Sequence, residues 1–359
     1  MTRPDRPIIL TRRGLLGAAL AASAGLGLAA GRRADAAPKR LPAPAAGSAA
    51  RLSIPGKIVK VRKAGTLQPN GLWPEQSAAR VMLERAMTEL TGKSDLGQAF
   101  AQFVGKDDRV AVKPNGLGGR NTAGMATNKE LVLEIVRGLV AAGVPATSIT
   151  IYDQYDSFLK GCRILDQDMK LDPAFPSGVV AMFHDNRDAV MDPITVSGQT
   201  TRFVRALTEA TAVINVPVIK DHGICGYTGA LKNMTHGSIV NPQKFHDHRI
   251  TPQIAELYAQ EVVRSRVVLH VVDGFKAMYD GGPSDRKPSC RVPHETVYVS
   301  TDPVALDVVG WQVVDQLRRD AGLPVLAAAG REPSYIRIAG ELGLGVFDQS
   351  KIRVREVAL

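Results

Sequence analysis

Short apolar runs alternate with longer amphipathic segments along most of this chain, and this alternation constrains the fold more than any other feature. The runs have the length of β-strands, and the segments between them have the length of helices. The runs are "KIVKV", "RVAVKP", "ITIYD", "GVVAMF", "AVINVPVI", "VVLHVVDG" and "TVYVS", and the helices are predicted over about 75–91, 128–142, 252–264 and 304–319. Strands separated by helices indicate crossover connections. The sequence therefore predicts an α/β fold with a mostly parallel sheet and helices on both faces.

Local signals mark three helix starts. Thr127 stands three residues before Glu130, which is the spacing of a capping box. Pro252 and Pro303 each follow a polar residue, so they are predicted to occupy the first helical position.

The first 37 residues have the layout of a leader. The pair Arg12-Arg13 precedes an apolar run over 15–30, and Ala34 and Ala36 form an A-x-A cleavage pattern. The stretch "TRRGLL" resembles the twin-arginine export signal, a receptor-read address for folded proteins. A transmembrane anchor is disfavoured because the run has about 16 residues and a spanning helix needs about 20. We expect a protein of the periplasm or extracellular space, with the twin-arginine translocase as its export partner and no stable membrane anchor.

The rest of the chain divides into two parts. Residues 38–56 are rich in Pro, Ala and Gly and are predicted to be a linker, and residues 57–359 are predicted to form a single α/β domain. The leader carries six arginines against Asp5 and Asp35, a net charge of +4, so its removal lowers the formal charge from +10 to +6. No Lys/Arg-rich run with interleaved aromatics is present, which argues against nucleic acid as a partner.

The cysteines exclude two classes of protein. Cys162, Cys225 and Cys290 are three in number and far apart, so a dense disulfide framework is excluded. No C-x-x-C is present, so an iron–sulfur cluster held by four cysteines of one chain is not expected.

Polar residues that follow predicted strands are the candidates for a functional site, because ligands of parallel sheets bind at the carboxyl ends of strands. Lys113, Asn115 and Gly116 follow one strand; this loop could expose N–H groups to an anion or be a flexible surface connection. Asp153 and Asp156 follow the next strand. They could bind a metal or act as acid and base, although aspartates at such places are more commonly turn and helix-cap residues.

The stretch "VINVPVIKDHGICGYTGALKNMTHG" at 213–237 is the densest in polar side chains. Imidazole and thiolate are ligands of transition metals, and the candidates here and just downstream are His222, Cys225, His236, His246 and His248. Their spacing matches no known finger or metalloprotease pattern, so helix capping or binding of a small anion remains an equal alternative.

Other polar residues have weaker signals. Asp273 precedes a glycine and is predicted to lie in a turn, or to bind a ligand if its neighbours converge on it. His184, His270 and His294 are isolated; His270 lies in an apolar run and is predicted to be a core residue. The loop over 278–297 is long and polar, and is either a lid that brings Cys290 and His294 to the site or an irregular surface loop.

Four stretches together resemble the domain of unknown function 362 family over about 108–318. They are "VKPN", "VPVIKDHGICGYTGALKN", "VVDGFKAMYDGGP" and "STDPVALDVVG". The resemblance implies the importance of Lys113, Lys220, His222, Lys232 and Asn233. Members often carry iron–sulfur cysteine runs, which this chain lacks.

These observations leave two functions open. In the first, a transition metal and the lysines act on a small anionic substrate; in the second, the protein binds an anion, metal or cofactor without turnover. Crowded lysines need an anion or carboxylates to neutralise them, and Asp153, Asp221, Asp273 and Asp302 are candidates. We assign catalytic roles to Lys113, Lys220, His222 and Lys232, and substrate binding to Asn115, Gly116, Asn233 and Asp273.

Overall fold

The computed structural model describes residues 51–119, 124–184, 192–247 and 250–359. The predicted leader, most of the predicted linker and His248 lie outside these residues. Residues 51–56, at the end of the predicted linker, contact the domain: Arg51 forms an ion pair of 2.7 Å with Asp108, and the amide of Gly56 donates to Asp302 over 2.8 Å. No helix in the described ranges is long and apolar enough to cross a bilayer.

The strands confirm most of the predicted apolar runs. They are β1 Lys57–Arg62, β2 Val110–Lys113, β3 Ile149–Asp153, β4 Val180–Phe183, β5 Ile194–Val196, β6 Gln199–Thr201, β7 Ala212–Asn215, β8 Val218–His222, β9 Gly226–Thr228, β10 Val267–Met278, β11 Arg291–Ser300 and β12 Arg353–Ala358. The run "AVINVPVI" forms two strands, β7 and β8, with Val216 and Pro217 between them.

The helices occupy the predicted segments and several shorter ones. They are α1 Gln76–Thr91, α2 Leu96–Phe100, α3 Lys129–Ala141, α4 Asp156–Gly161, α5 Arg205–Glu209, α6 Ala230–His236, α7 Ile250–Tyr258, α8 Glu261–Arg264, α9 Pro303–Asp320 and α10 Tyr335–Glu341. Pro303 is the first residue of α9, as predicted, whereas α7 begins two residues before Pro252. The predicted helix over 252–264 is two helices, α7 and α8.

Ten of the described strands form one sheet, with the order β12-β1-β11-β10-β7-β2-β3-β4, and with β8 paired to β10 and β9. From β10 to β4 along this path each strand is parallel to the next, β12 is parallel to β1, and β11 is antiparallel to both β10 and β1. The mixed α/β fold with a mostly parallel sheet is therefore confirmed.

Alternate side chains of the strands face two separate apolar clusters. Val59 and Val61 of β1 pack with α1, α2 and α3 on one face, and Ile58 packs with α6, α7, α9 and α10 on the other. The period of two along a strand places neighbouring side chains on opposite faces, so both faces of the sheet are covered by helices.

Two predictions of where a strand ends were wrong. Lys220, Asp221 and His222 belong to β8 instead of following it, and Asp273 lies inside β10. The pairing of β10 with β11 shifts between Gly274 and Lys276, which is how the strand continues past the glycine.

Candidate functional site

A pocket lies at the carboxyl ends of β2 and β3, where Lys113 and Asp153 are the last residues of these parallel strands. Its volume is about 620 Å³, including the part open to solvent. The lining residues are Lys113, Asn115, Gly116, Leu117, Asp153, Gln154, Phe158, Thr228, Lys232, Asn233, His236, Gly237, Pro242, Gln243, His246 and Pro283. The pocket thus lies at the edge of the sheet where the strand-end rule predicts a ligand site.

One side of the pocket holds a complete buried ion pair. Nζ of Lys113 lies 2.8 Å from a carboxylate oxygen of Asp153, and both side chains are almost fully buried. The second oxygen of Asp153 accepts the amide of Gly116 over 2.8 Å. Asp153 is therefore the internal partner of Lys113.

Glycine is required at two positions beside this ion pair. A Cβ on Gly116 would overlap the carbonyl of Phe158, and a Cβ on Gly237 would lie 2.7 Å from Cε and 2.8 Å from Nζ of Lys113. The absence of a side chain lets α4 approach Gly116 closely and lets the Lys113 side chain approach Gly237.

A chain of side-chain hydrogen bonds joins the pocket to the core. Lys220 donates to Oδ1 of Asn115 over 2.8 Å and to the carbonyl of Leu117. Asn115 donates to Asn233 over 3.0 Å, and Asn233 donates to Asn215 over 2.7 Å. Since each amide donates to the next, the orientation of all three is fixed.

His270 ends this chain in the core. Nδ1 of His270 accepts a hydrogen bond of 2.9 Å from Nδ2 of Asn215. Burial lowers the pKa of His270 to about 3. The prediction of a core histidine is confirmed, since His270 is 1% exposed.

Thr127 stabilises the site loop instead of capping a helix. Helix α3 begins at Lys129, and the hydroxyl of Thr127 accepts the amide of Asn115 over 2.8 Å and donates to the carbonyl of Val216 over 2.9 Å. The capping-box prediction was wrong because Glu130 instead forms an ion pair with Arg163 over 2.5 Å.

Helix α6 carries Lys232, Asn233 and His236 into the site. The buried carboxylate of Asp307 accepts the amides at its start, Ala230 over 2.5 Å and Leu231 over 3.1 Å. Burial raises the pKa of Asp307 to about 7, and these amides oppose the shift. The contact of Asp307 with the start of α6 was not predicted, because Asp307 lies 75 positions after Lys232 in the sequence.

Lys232 is the unbalanced charge of the pocket. Its side chain is 5% exposed, and it forms no hydrogen bond or ion pair with the residues that the structure describes. Burial lowers the pKa of Lys232. The pKa of Lys220 falls to about 7 because of burial and then of the Lys232 charge.

Three imidazoles surround this lysine. The ring centroids of His222 and His246 are 5.9 Å apart, and those of His236 and His246 are 4.8 Å apart. Burial lowers the pKa of all three, and the charge of Lys232 lowers each further. Of the three, His236 and His246 line the pocket together with Lys232.

The hydrogen bonds assign the protons of two rings. Nδ1 of His222 accepts the amides of Ile224 over 3.1 Å and Cys225 over 3.3 Å, so the proton is on Nε2, which has no partner among the described residues. Nε2 of His236 donates to the carbonyl of Phe245 over 2.8 Å.

His246 has the opposite arrangement. Its Nδ1 donates to the carbonyl of Pro242 over 2.8 Å, because a carbonyl only accepts. Its Nε2 therefore carries a lone pair, at a residue that lines the pocket.

The donors predicted to hold a metal do not converge in the described ranges, where no group of three or more His, Cys, Asp or Glu could hold one. Cys225 is buried, its thiol donates to the carbonyl of Tyr227 over 3.4 Å, and burial raises its pKa to about 11. His248 lies outside these ranges, so the five-residue metal site stays a prediction.

Other candidates lie outside the pocket lining. Asp273 accepts the amide and side chain of Asn128, and Asp156 pairs with Lys160 over 3.1 Å on α4. Asp221 pairs with Arg331 over 2.9 Å. These carboxylates already have partners.

The long loop contributes a residue that was not predicted. Nε2 of His294 lies 2.7 Å from the hydroxyl of Tyr298, and neither His294 nor Cys290 lines the pocket, whereas Pro283 does. Phe158, Pro242 and Gln243 belong to no motif, whereas Thr228 and Pro283 lie within the stretches that resemble the family although no role was assigned to them. Only Gln154, directly after β3, could have been found by the strand-end rule.

The comparison with protein families decides the classification. A family model described as "Domain of unknown function (DUF362)" matches residues 110–312, more than half of the chain. The chain belongs to the DUF362 family. A comparison with curated proteins gives no match.

Among solved structures, the DUF362 chain matches the lactate racemase apoprotein from Thermoanaerobacterium thermosaccharolyticum. The sequences are 12% identical, the TM-score is 0.40, and the match covers 72% of this chain and 57% of the racemase chain. The likeness therefore spans less than two thirds of the racemase.

Proposed function

We propose that this DUF362 protein is exported and binds a small anion in the pocket, with the ammonium group of Lys232 as the principal partner. The observation that supports the proposal is the buried Lys232 side chain, which has no acceptor among the described residues. An unpaired buried charge costs several kcal/mol, and a bound anion removes much of this cost.

The rest of the lining fits the same ligand. The hydroxyl of Thr228 is buried in the lining without a described partner, so it is free to donate to an anion. Lys113 is neutralised by Asp153, which leaves Lys232 as the cation available to a ligand.

The test is calorimetric titration of the mature protein at pH 7 with acetate, inorganic phosphate and sulfate. Lys232→Met is expected to abolish binding of any anion that the wild type takes. Lys244→Met is the matched control, since it removes an equal charge from an exposed side chain beside the lining residue Gln243. Binding that survives Lys232→Met, or no binding of any anion to the wild type, contradicts the proposal.

A metal-dependent enzyme is the second candidate. It is favoured by the position of His246 between two other rings, with centroid distances of 5.9 Å to His222 and 4.8 Å to His236. Two of these rings would have to give up present hydrogen bonds to bind a metal. Elemental analysis of the protein from the exported fraction tests this idea. About one equivalent of a transition metal, lost in His246→Ala, would favour it over the metal-free pocket.

Export rests on the leader, which lies outside the described residues. We expect Arg12→Lys combined with Arg13→Lys to retain the protein in the cytoplasm. Fractionation of cells that express both forms measures this, and unchanged export of the double variant would overturn the twin-arginine assignment.

A further inference from the structure

The charge of the lining limits the ligand. Lys113 and Asp153 cancel each other at 2.8 Å, and the histidines are neutral because burial lowers their pKa. Lys232 is the one described lining cation without a carboxylate partner. A pocket with a single free positive charge matches an anion with a single negative charge. Inorganic phosphate is partly dianionic at pH 7, and the dianion would leave one negative charge unbalanced.

The lone pair of His246 can accept a hydrogen bond from a ligand in the pocket. Nδ1 is occupied by the carbonyl of Pro242, and no described group donates to Nε2. Lys232 and His246 line the same pocket. A ligand held at Lys232 can thus also present a hydrogen-bond donor to His246. A neutral donor suits this place better than an ammonium group, which Lys232 would repel.

Apolar side chains form part of the remaining wall. Leu117, Phe158, Pro242 and Pro283 line the pocket around the polar groups. Apolar walls favour a carbon skeleton over a fully hydrated inorganic ion, because burying the skeleton removes apolar surface from water.

We propose that the ligand is a small organic monocarboxylate that carries a hydroxyl group. Its carboxylate binds Lys232 and Thr228, its hydroxyl donates to Nε2 of His246, and its carbon skeleton packs against Phe158 and Pro283. The assignment rests on the proposed anion pocket and names the chemical class of its ligand.

Matched ligand pairs test the assignment by calorimetry at pH 7 with the mature protein. The pairs are glycolate with acetate and 3-hydroxybutyrate with butyrate, and succinate and inorganic phosphate are the ligands of higher charge. One hydrogen bond contributes about 0.5–1.5 kcal/mol, so the hydroxylated member of at least one pair should bind roughly 2- to 12-fold more tightly than its partner. Succinate and phosphate should bind more weakly than that member.

Variants assign the preference to named groups. His246→Phe should remove the preference for the hydroxylated member and keep binding of its partner, whereas His246→Gln, whose side-chain carbonyl can accept, should retain part of it. Lys232→Met should abolish binding of both members. Lys244→Met should change neither.

The outcomes separate the two proposals. Lys232-dependent binding of phosphate or succinate in preference to every monocarboxylate overturns the ligand class and leaves the anion pocket standing. Equal affinity within both pairs, or a preference that survives His246→Phe, overturns the role of the hydroxyl. Absence of binding by every ligand overturns the anion pocket and the ligand class together.

Discussion

Two buried lysines line the same pocket in opposite electrostatic situations. Lys113, at the end of β2, has a carboxylate partner 2.8 Å away, and Lys232, on α6, has none among the described residues. The first lysine is part of a closed pair that holds the ends of two strands together. The second keeps a charge for which the described fold supplies no partner. The difference shows that burial of a lysine does not reveal its role; the position of the neutralising charge does.

The largest expected effect is that of Lys113→Met on stability. The substitution leaves Asp153 buried without its partner, and breaking a buried pair costs about 3–5 kcal/mol. Urea denaturation at pH 7 measures the loss. Adding Asp153→Asn, which lacks the charge, should recover part of it; no recovery would mean that the two side chains are not coupled.

Lys232→Met should change stability in the opposite direction. Replacing an unpaired buried cation with an apolar side chain of similar length is expected to raise the free energy of unfolding by about 1–4 kcal/mol in the absence of ligand. The same urea titration checks the sign. A loss as large as that of Lys113→Met would show that Lys232 has an internal partner and would remove the contrast between the two lysines.

Gly237→Ala disturbs the paired side of the pocket by crowding. The added methyl would lie 2.8 Å from Nζ of Lys113, so the side chain must move away from Asp153. Such overpacking costs about 1–3 kcal/mol. Gly105→Ala is the control, since a Cβ there meets nothing within 4 Å. Equal unfolding midpoints for the two variants would contradict this geometry.

The smallest effect is the pH dependence of the difference between wild type and Lys232→Met. The folded pKa of Lys232 is lowered by burial, so above this pKa the folded protein binds fewer protons than the unfolded chain. Wild-type stability therefore gains a contribution as pH rises towards the unfolded pKa of about 10.4. The variant lacks this gain, so the excess of its free energy of unfolding over that of the wild type should shrink between pH 7 and 10. Thermal unfolding at several pH values measures the trend, and an advantage that grows with pH would reverse the sign.

Sequence patterns predicted the fold, and the edge of the sheet at which the pocket lies, for physical reasons. The alternation of apolar runs and amphipathic segments determines the layers, and parallel strands bring residues such as Lys113 and Asp153 to one edge although 40 positions separate them. Lys232, Asn233, His236 and His246 lie together because the chain returns to this edge after β9.

The partners of these residues could not be predicted in the same way. Asp153, Asp221, Asp273 and Asp302 were equal candidates in sequence, and strand register and loop paths select Asp153 for Lys113. The proton positions of His222 and His246 depend on loop amides and carbonyls, which every residue type carries. No side-chain pattern encodes them.

The position of β1 in the sheet has a consequence for synthesis of the chain. Its two neighbours are β11 and β12, which come from residues 291–300 and 353–358. Each residue of β1 pairs with a residue of β12 that lies 296 positions later in the chain. At about 5–20 residues per second, both edges of β1 wait roughly 15 to 60 s for their final pairing. Unpaired strand edges recruit other chains. A nascent chain stalled before β11 should therefore aggregate through β1, even though α1, α2 and α3, which cover one face of this strand, have already been made.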